Sequence, residues 1–206
     1  MALATKKPTR IQAKNRAIIE RAALKIFSRD GFRGATVDAI AEAAGMSKPN
    51  LLYYFPTKDD IYRSLLEGLL KDWLGPLLDL DSKGEPTEQI ATYISRKIEL
   101  ARDFPMESRL FANEMIRGAP ILKDVLAGDL RASVDAKAAV IQAWMDEGRL
   151  RKIDPHHLIF AIWATTQHYA DFDVQVRALL GDDSDARFGS AAEALTSIFL
   201  DGLRMR

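Results

Sequence analysis

The sequence predicts an all-α fold, with a three-helix N-terminal domain over residues 1–57 and a larger helical domain over residues 58–206. Apolar residues recur at three- and four-residue steps along nearly the whole chain, the period of helices that bury one stripe. The strict alternation of a half-buried strand is missing. Glycine and proline punctuate the chain at helix-length intervals, where they end one helix and open the next.

The elements follow in order. Ile11 to Ser28 carries Ile18, Ala22 and Ile26 on one stripe, with Ile19, Ala23 and Phe27 beside it, and Gly31 and Gly34 turn the chain out of that helix. Thr36 is a good N-cap with Asp38 in the next turn, so a short helix runs from Val37 to Ala44 and stops at Gly45. Ser47 caps a third helix that ends at Phe55-Pro56, and Pro49 lies near its start, where a missing N–H costs nothing. Thr57 caps a fourth, with Asp59 and Asp60 at the favourable end of its dipole. Five more helices are expected at 86–103, 105–117, 120–147, 155–180 and 188–204. The breakers between them are Gly84-Glu85-Pro86, Phe104-Pro105, Gly118-Ala119-Pro120, Gly148, Asp154-Pro155 and Gly181-Asp182-Asp183-Ser184.

Charge is balanced overall, with 29 Lys/Arg against 29 Asp/Glu, but it is not evenly spread. Residues 1–58 hold 11 Lys/Arg against 4 Asp/Glu, and the remainder holds 18 against 25. A basic end joined to an acidic body suits a polyanion partner at the N-terminus. Cysteine is absent, which rules out disulfides and thiolate metal sites and fits a reducing cytoplasm. The basic start has no apolar stretch long enough for a signal peptide, and no run approaches the ~20 apolar residues of a membrane span. A soluble, cytoplasmic protein is expected.

Two short capped helices joined by Ala44-Gly45-Met46 are the parts of a helix-turn-helix. The glycine permits the sharp turn, and Val37, Ile40, Ala41, Met46 and Leu51 set the interhelix angle. The second helix then presents Ser47, Lys48, Pro49 and Asn50 at its N-terminal end, the end that enters a major groove in such motifs. Serine and lysine suit phosphate, and asparagine can pair with a base edge, adenine above all. Tyr53, Tyr54, Thr36 and Lys58 are candidate anchors to the DNA backbone. From these residues alone, a capped helical hairpin with two packing tyrosines is an equal reading.

The stretch DGFRGATVDAIAEAAGMSKPNLLYYFPTKDDIY resembles the DNA-binding domain of the TetR family of repressors. The resemblance implies that Thr36, Lys48, Tyr53, Tyr54 and Lys58 face double-stranded operator DNA, while Leu51 and Phe55 stay in the core. It also implies a homodimer and a small-molecule effector held in the larger domain. Leu52 stands where many members carry tyrosine, and Lys6, Lys7 and Arg10 could form a basic arm or a merely solvated tail.

The larger domain offers its own signal. Around Ser64–Leu80, Leu66, Leu69, Leu70, Trp73 and Leu77 share one side, and Ile159, Trp163 and Gln167 form an i, i+4 stripe with Ile162 and Thr166 adjacent. A carboxamide on an apolar stripe must find partners or cost about a kcal/mol or more. Gln167 offers both donor and acceptor, matching the edge of a planar amide or imide, and tryptophans can wall in such a ring. Packed core, with Gln167 satisfied by backbone or water, is the competing account. The segments DWLGPL, ARDFPMESRLFANEM and IDPHHLIFAIWATTQHYADFDVQV, among others, resemble the members of the family that regulate pyrimidine utilisation and sense uracil or thymine. That resemblance implies a pyrimidine site made by Trp73, Trp163 and Gln167, with Leu70, Leu74 and Phe111 as its apolar wall.

An enzyme reading finds little support. His156 and His157 are adjacent, so on a helix they point about 100° apart and make a poor metal pair. His168 and Asp171, at i, i+3, suit a local hydrogen bond better than a catalytic dyad. No P-loop or dinucleotide fingerprint is present, and no metal or cofactor is expected. Three functions remain in competition: a repressor released from a palindromic operator by uracil or thymine, a TetR-family regulator of a larger apolar effector, and a helical enzyme or interaction module.

Overall fold

The computed structural model describes residues 9–181 and 183–205. Among them all regular structure is helical, and no helix is long and apolar enough to cross a membrane. The chain divides into two compact units, Met1–Leu69 and Leu70–Arg206. The division falls within a helix, not at residue 57. Lys6 and Lys7 of the basic arm lie outside the described residues, and Arg10 is exposed at the head of the first helix.

In the first unit, α1 (Arg10–Gly34) starts from a capping box in which Thr9 accepts from the Gln12 amide and the Gln12 side chain accepts in return. It extends beyond the expected end, but Gly31, at φ 67°, interrupts its helical path. A residue with a Cβ adopts that conformation only at a cost, so the glycine places the bend. The short helices α2 (Val37–Ala43) and α3 (Lys48–Tyr54) follow, capped by Thr36 and Ser47. Between them Gly45 sits at φ 65°, and the Met46 amide returns to the Ala41 carbonyl. Ile19, Ala23, Phe27, Ile40, Leu51, Phe55 and Ile61 are buried together as this unit's core. Thr57 and Asp60 form a reciprocal cap for α4 (Lys58–Leu78), which runs across the division into the second unit.

The second unit contains α5 (Pro86–Asp103), α6 (Pro105–Ile116), α7 (Lys123–Val125), α8 (Arg131–Asp146), α9 (Pro155–Asp171), α10 (Asp173–Leu180) and α11 (Ser184–Leu203). Helix α5 packs against α9 and α11, and α9 also packs against α6 and α8. Tyr93, Ile94 and Ile98 from α5 meet Trp144 and Met145 from α8 and Ile159 and Ile162 from α9 in one apolar cluster. The Trp144 indole keeps its hydrogen bond by donating to the Ser82 carbonyl at 3.1 Å.

Three expected boundaries differ. The helix expected over 120–147 begins at Lys123 and contains a π-helical turn, Leu126–Leu130, before α8. The wider turn keeps Val125 and Leu130, five residues apart, both packed on the core. The helix expected over 155–180 breaks at Phe172 into α9 and α10. No glycine or proline marks that break; the Ser108 hydroxyl on α6 donates to Asp171, holding the end of α9. The last helix starts at Ser184, earlier than expected, because Asp183 accepts from the Ala186 amide and caps it.

Candidate DNA interface and effector site

At the N-terminal end of α3, Ser47, Lys48, Pro49 and Asn50 are all exposed. Ser47 spends its hydroxyl oxygen on the Asn50 amide, and the Thr36 hydroxyl accepts from the Ala39 amide, so both residues act first as caps. Lys48 pairs with Asp38 at 2.9 Å, but both side chains are solvent-exposed, and a surface pair of that kind holds by ~1 kcal/mol at most. A phosphate can displace Asp38. Tyr53 is 70% exposed. Its ring meets Tyr54 edge-on at 5.1 Å between centroids.

Two predicted DNA residues are engaged inside the unit. The Tyr54 hydroxyl accepts from the Asn15 side chain at 2.6 Å, and the Tyr54 carbonyl accepts from Arg16 at 2.8 Å. The same guanidinium lies 3.9 Å above the Phe55 ring and donates to Ser64, whose hydroxyl donates to Glu20. The Lys58 ammonium donates to the Phe32 and Ala35 carbonyls at 2.8 and 2.9 Å and sits over the Phe32 ring. A cation there answers the partial negative charge where α1 ends. Position in sequence suggested DNA contact; the contact that forms is a tertiary cap.

In the second unit, the predicted effector residues converge on α4, α5, α6 and α9. Leu70, Trp73 and Leu74 are buried, and Phe111 is half-buried against the same cluster. The Trp163 indole donates to the buried Tyr93 hydroxyl at 2.6 Å. Burial pushes the Tyr93 hydroxyl up from its ordinary pKa, and the bond from Trp163 opposes that rise. Gln167 is half-buried, one turn beyond Trp163, and among the described residues its carboxamide has no hydrogen-bond partner. Trp73 also keeps an unpaired donor: its indole nitrogen is buried without an acceptor.

The residue that sequence reasoning missed is Lys97. It is 3% exposed on α5, and its ammonium lies 5.2 Å from the centre of the Trp73 ring. Burial lowers its pKa to about 7, with the Asp171 carboxylate opposing. Asp171 is itself raised by burial, against the pull of Ser108, Arg109, His168 and Lys97. The signal was present: Ile90, Tyr93, Ile94, Ile98 and Ala101 form a buried stripe on α5, and Lys97 interrupts it as Gln167 interrupts the stripe of α9. The expected local bond between His168 and Asp171 is replaced by others: Asp171 accepts from Ser108, and His168 stacks on Phe172 at 4.9 Å.

Trp163 has a second exposure. It lines a cleft of about 410 Å³ with Leu126, Leu130, Arg131, Val134, Asp135, His156 and Phe160. None of the other five predicted effector residues lines that cleft. His156 there pairs with Asp135 at 2.8 Å, and among the described residues no group of three or more potential ligands could hold a metal ion.

Comparison with known proteins accounts for both units. Residues 19–65 match the family described as "Bacterial regulatory proteins, tetR family", and residues 66–206 match "YcdC-like protein, C-terminal region". The chain is 46% identical over 203 residues to the HTH-type transcriptional regulator RutR of Escherichia coli, covering 98% of this chain and 95% of that one. It is 25% identical over 134 residues, 64% of this chain and 61% of the other, to the HTH-type transcriptional regulator EthR of Mycolicibacterium smegmatis. Among solved structures, the ketosteroid transcriptional regulator KstR2 of Mycobacterium tuberculosis superposes with a TM-score of 0.72 at 20% identity, covering the whole of both chains. Salmonella enterica GusR gives 0.69 at 18% identity, covering 98% of this chain and 99% of that one.

Proposed function

The chain belongs to the TetR family of bacterial regulatory proteins, and from that premise we propose that it is a repressor released from a palindromic operator by uracil or thymine. That it is a DNA-binding transcription regulator and not an enzyme follows from its relatives and fold. Regulators of this family bind operator DNA and small-molecule effectors and form dimers.

The proposed DNA contacts are made by Ser47, Lys48, Pro49, Asn50 and Tyr53 at the exposed face of α3, with Thr36 beside them. Tyr54 and Lys58 contribute chiefly by fixing the helix. The chain acts as a homodimer whose two reading helices enter successive major grooves about 34–36 Å apart. Val174, Leu179 and Leu180 on α10 and Ile198 on α11 are exposed apolar residues that a second copy would cover.

The observation that carries the effector assignment is the partnerless Gln167 carboxamide on the same stripe of α9 as Trp163. An imide ring supplies the donor and acceptor that this amide lacks, and Trp73, Leu70, Leu74 and Phe111 supply apolar walls. Uracil differs from thymine by one methyl, worth about 1–3 kcal/mol of discrimination. The effector releases DNA only by its differential affinity for the two states, typically 1–3 kcal/mol, or about a 5–150-fold loss of operator affinity.

The test is calorimetric titration of uracil and thymine into the protein and into Gln167→Ala, followed by operator binding with and without the ligand. Binding lost in the variant, with weakened operator affinity in the intact protein, is the expected result. Absence of binding by the intact protein returns the effector to the second reading, a larger apolar compound. The 410 Å³ cleft walled by Leu126, Leu130, Val134, Phe160 and Trp163 is the observation in its favour.

A further inference from the structure

Two stripes face each other between α5 and α9. On α9, Trp163, Gln167 and Asp171 stand four residues apart, and on α5 so do Tyr93 and Lys97. The Trp163–Tyr93 hydrogen bond aligns one end of the stripes, and the attraction between Lys97 and Asp171 aligns the other. Gln167 therefore sits at a level between Tyr93 and Lys97, with α4 contributing Trp73 above the Lys97 ammonium.

The polar groups of this cluster are unbalanced. Among the described residues the Lys97 ammonium makes no hydrogen bond and no close ion pair, and its one near neighbour is the face of Trp73. The Trp73 indole N–H is buried and unpaired, though that residue is only 8% exposed. Asp171, the nearby acceptor, is taken by Ser108. Buried donors without acceptors are rare in folded proteins and each carries a desolvation cost. Two in contact, beside a third polar group with no partner, describe a place that an acceptor-bearing molecule completes.

We propose that Lys97 and Trp73 form the carbonyl-binding end of the effector site and select a dioxo pyrimidine over an aminopyrimidine. This deepens, and rests on, the reading of the chain as a pyrimidine sensor. The argument turns on which groups can reverse roles. A carboxamide can rotate to offer either its oxygen or its nitrogen, so Gln167 accommodates both N3–H of uracil and the bare N3 of cytosine. An ammonium and an indole N–H only donate. They complement a ring carbonyl and oppose an exocyclic amino group in the same position, which leaves donor facing donor.

The experiment is calorimetric titration of uracil and cytosine into the intact protein, Lys97→Met and Trp73→Phe, with thermal unfolding of each to establish that it folds. The intact protein is expected to prefer uracil. Both variants should lose uracil affinity by about 10- to 100-fold, with a smaller loss for cytosine, so that the preference narrows. Lys97→Gln, which keeps a donor but can also present an acceptor, should recover cytosine binding relative to Lys97→Met. Uracil binding by the intact protein with an unchanged uracil-to-cytosine ratio in both variants overturns the role of Lys97 and Trp73 and leaves the pyrimidine reading standing. No binding of either base by the intact protein overturns the pyrimidine reading, and this inference with it.

Discussion

Replacing Lys97 with methionine should make the protein more stable at neutral pH, by an amount that shrinks in a defined way as the pH rises. In the fold the pKa of this lysine falls from 10.5 to about 7 because burial penalises the charged form. Below pH 7 both folded and unfolded chains hold the proton, so the full cost of burying the ammonium is present and does not vary. Between pH 7 and 10.5 the unfolded chain holds more protons than the folded one, and stability therefore rises with pH. The gap corresponds to ~5 kcal/mol in total, and to a gain of ~2 kcal/mol between pH 7 and pH 9. Methionine fills a similar volume without a charge, so Lys97→Met has no such dependence. Its advantage at pH 7 is expected to be about 1–4 kcal/mol, the range found when buried charges give way to apolar groups. Urea unfolding of both proteins at pH 7, 8 and 9, at one fixed protein concentration, reads the difference directly. Other titrating groups are common to the two proteins and cancel. Parallel stabilities across that range would refute the claim that the fold forces this lysine to give up its proton.

The remaining predictions concern the DNA-binding unit. Lys48→Ala should leave stability within about 0.5 kcal/mol, because its partner Asp38 is exposed. It should also flatten the dependence of log operator affinity on log salt by about 0.9, the signature of one lost phosphate contact. Lys58→Met should do the opposite, lowering thermal stability by about 1–3 kcal/mol through the unpaired Phe32 and Ala35 carbonyls while leaving the salt slope unchanged. Leu51→Ala, at a fully buried position, should cost about 2–5 kcal/mol and abolish operator binding by loosening α3, as seen by denaturant unfolding beside gel-shift titration.

Much of this was legible in the sequence, for local reasons. Thr36, Ser47 and Thr57 act as caps where they were expected, because a cap depends on residues only two or three positions away. The start of α5 at Pro86 and of α9 at Pro155 was likewise written locally. Gln167 could be singled out because a polar group on an apolar stripe breaks a pattern visible in one dimension. The same reasoning reaches Lys97, but a lysine with a long apolar stem is ordinarily assigned to a helix's outer edge, and only the packing of α5 between α9 and α11 buries it. The role of Lys58 depends on carbonyls 23 and 26 residues away, and the break at Phe172 on a serine 63 residues before Asp171. Those partners meet only once the chain has folded.

The reading helix is short, seven residues, yet its far end is tied to α1 through the hydroxyl and the carbonyl of Tyr54 and through the stacked pair Arg16 and Phe55. A helix held in this way does not turn on its own axis without breaking three contacts at once. Which base edges meet Asn50 is therefore fixed by the N-terminal unit alone, and any influence arriving from elsewhere must carry that unit as one piece. A regulator so constructed changes how firmly it grips its site without changing the sequence it prefers, so a single operator vocabulary serves it in both the occupied and the empty state.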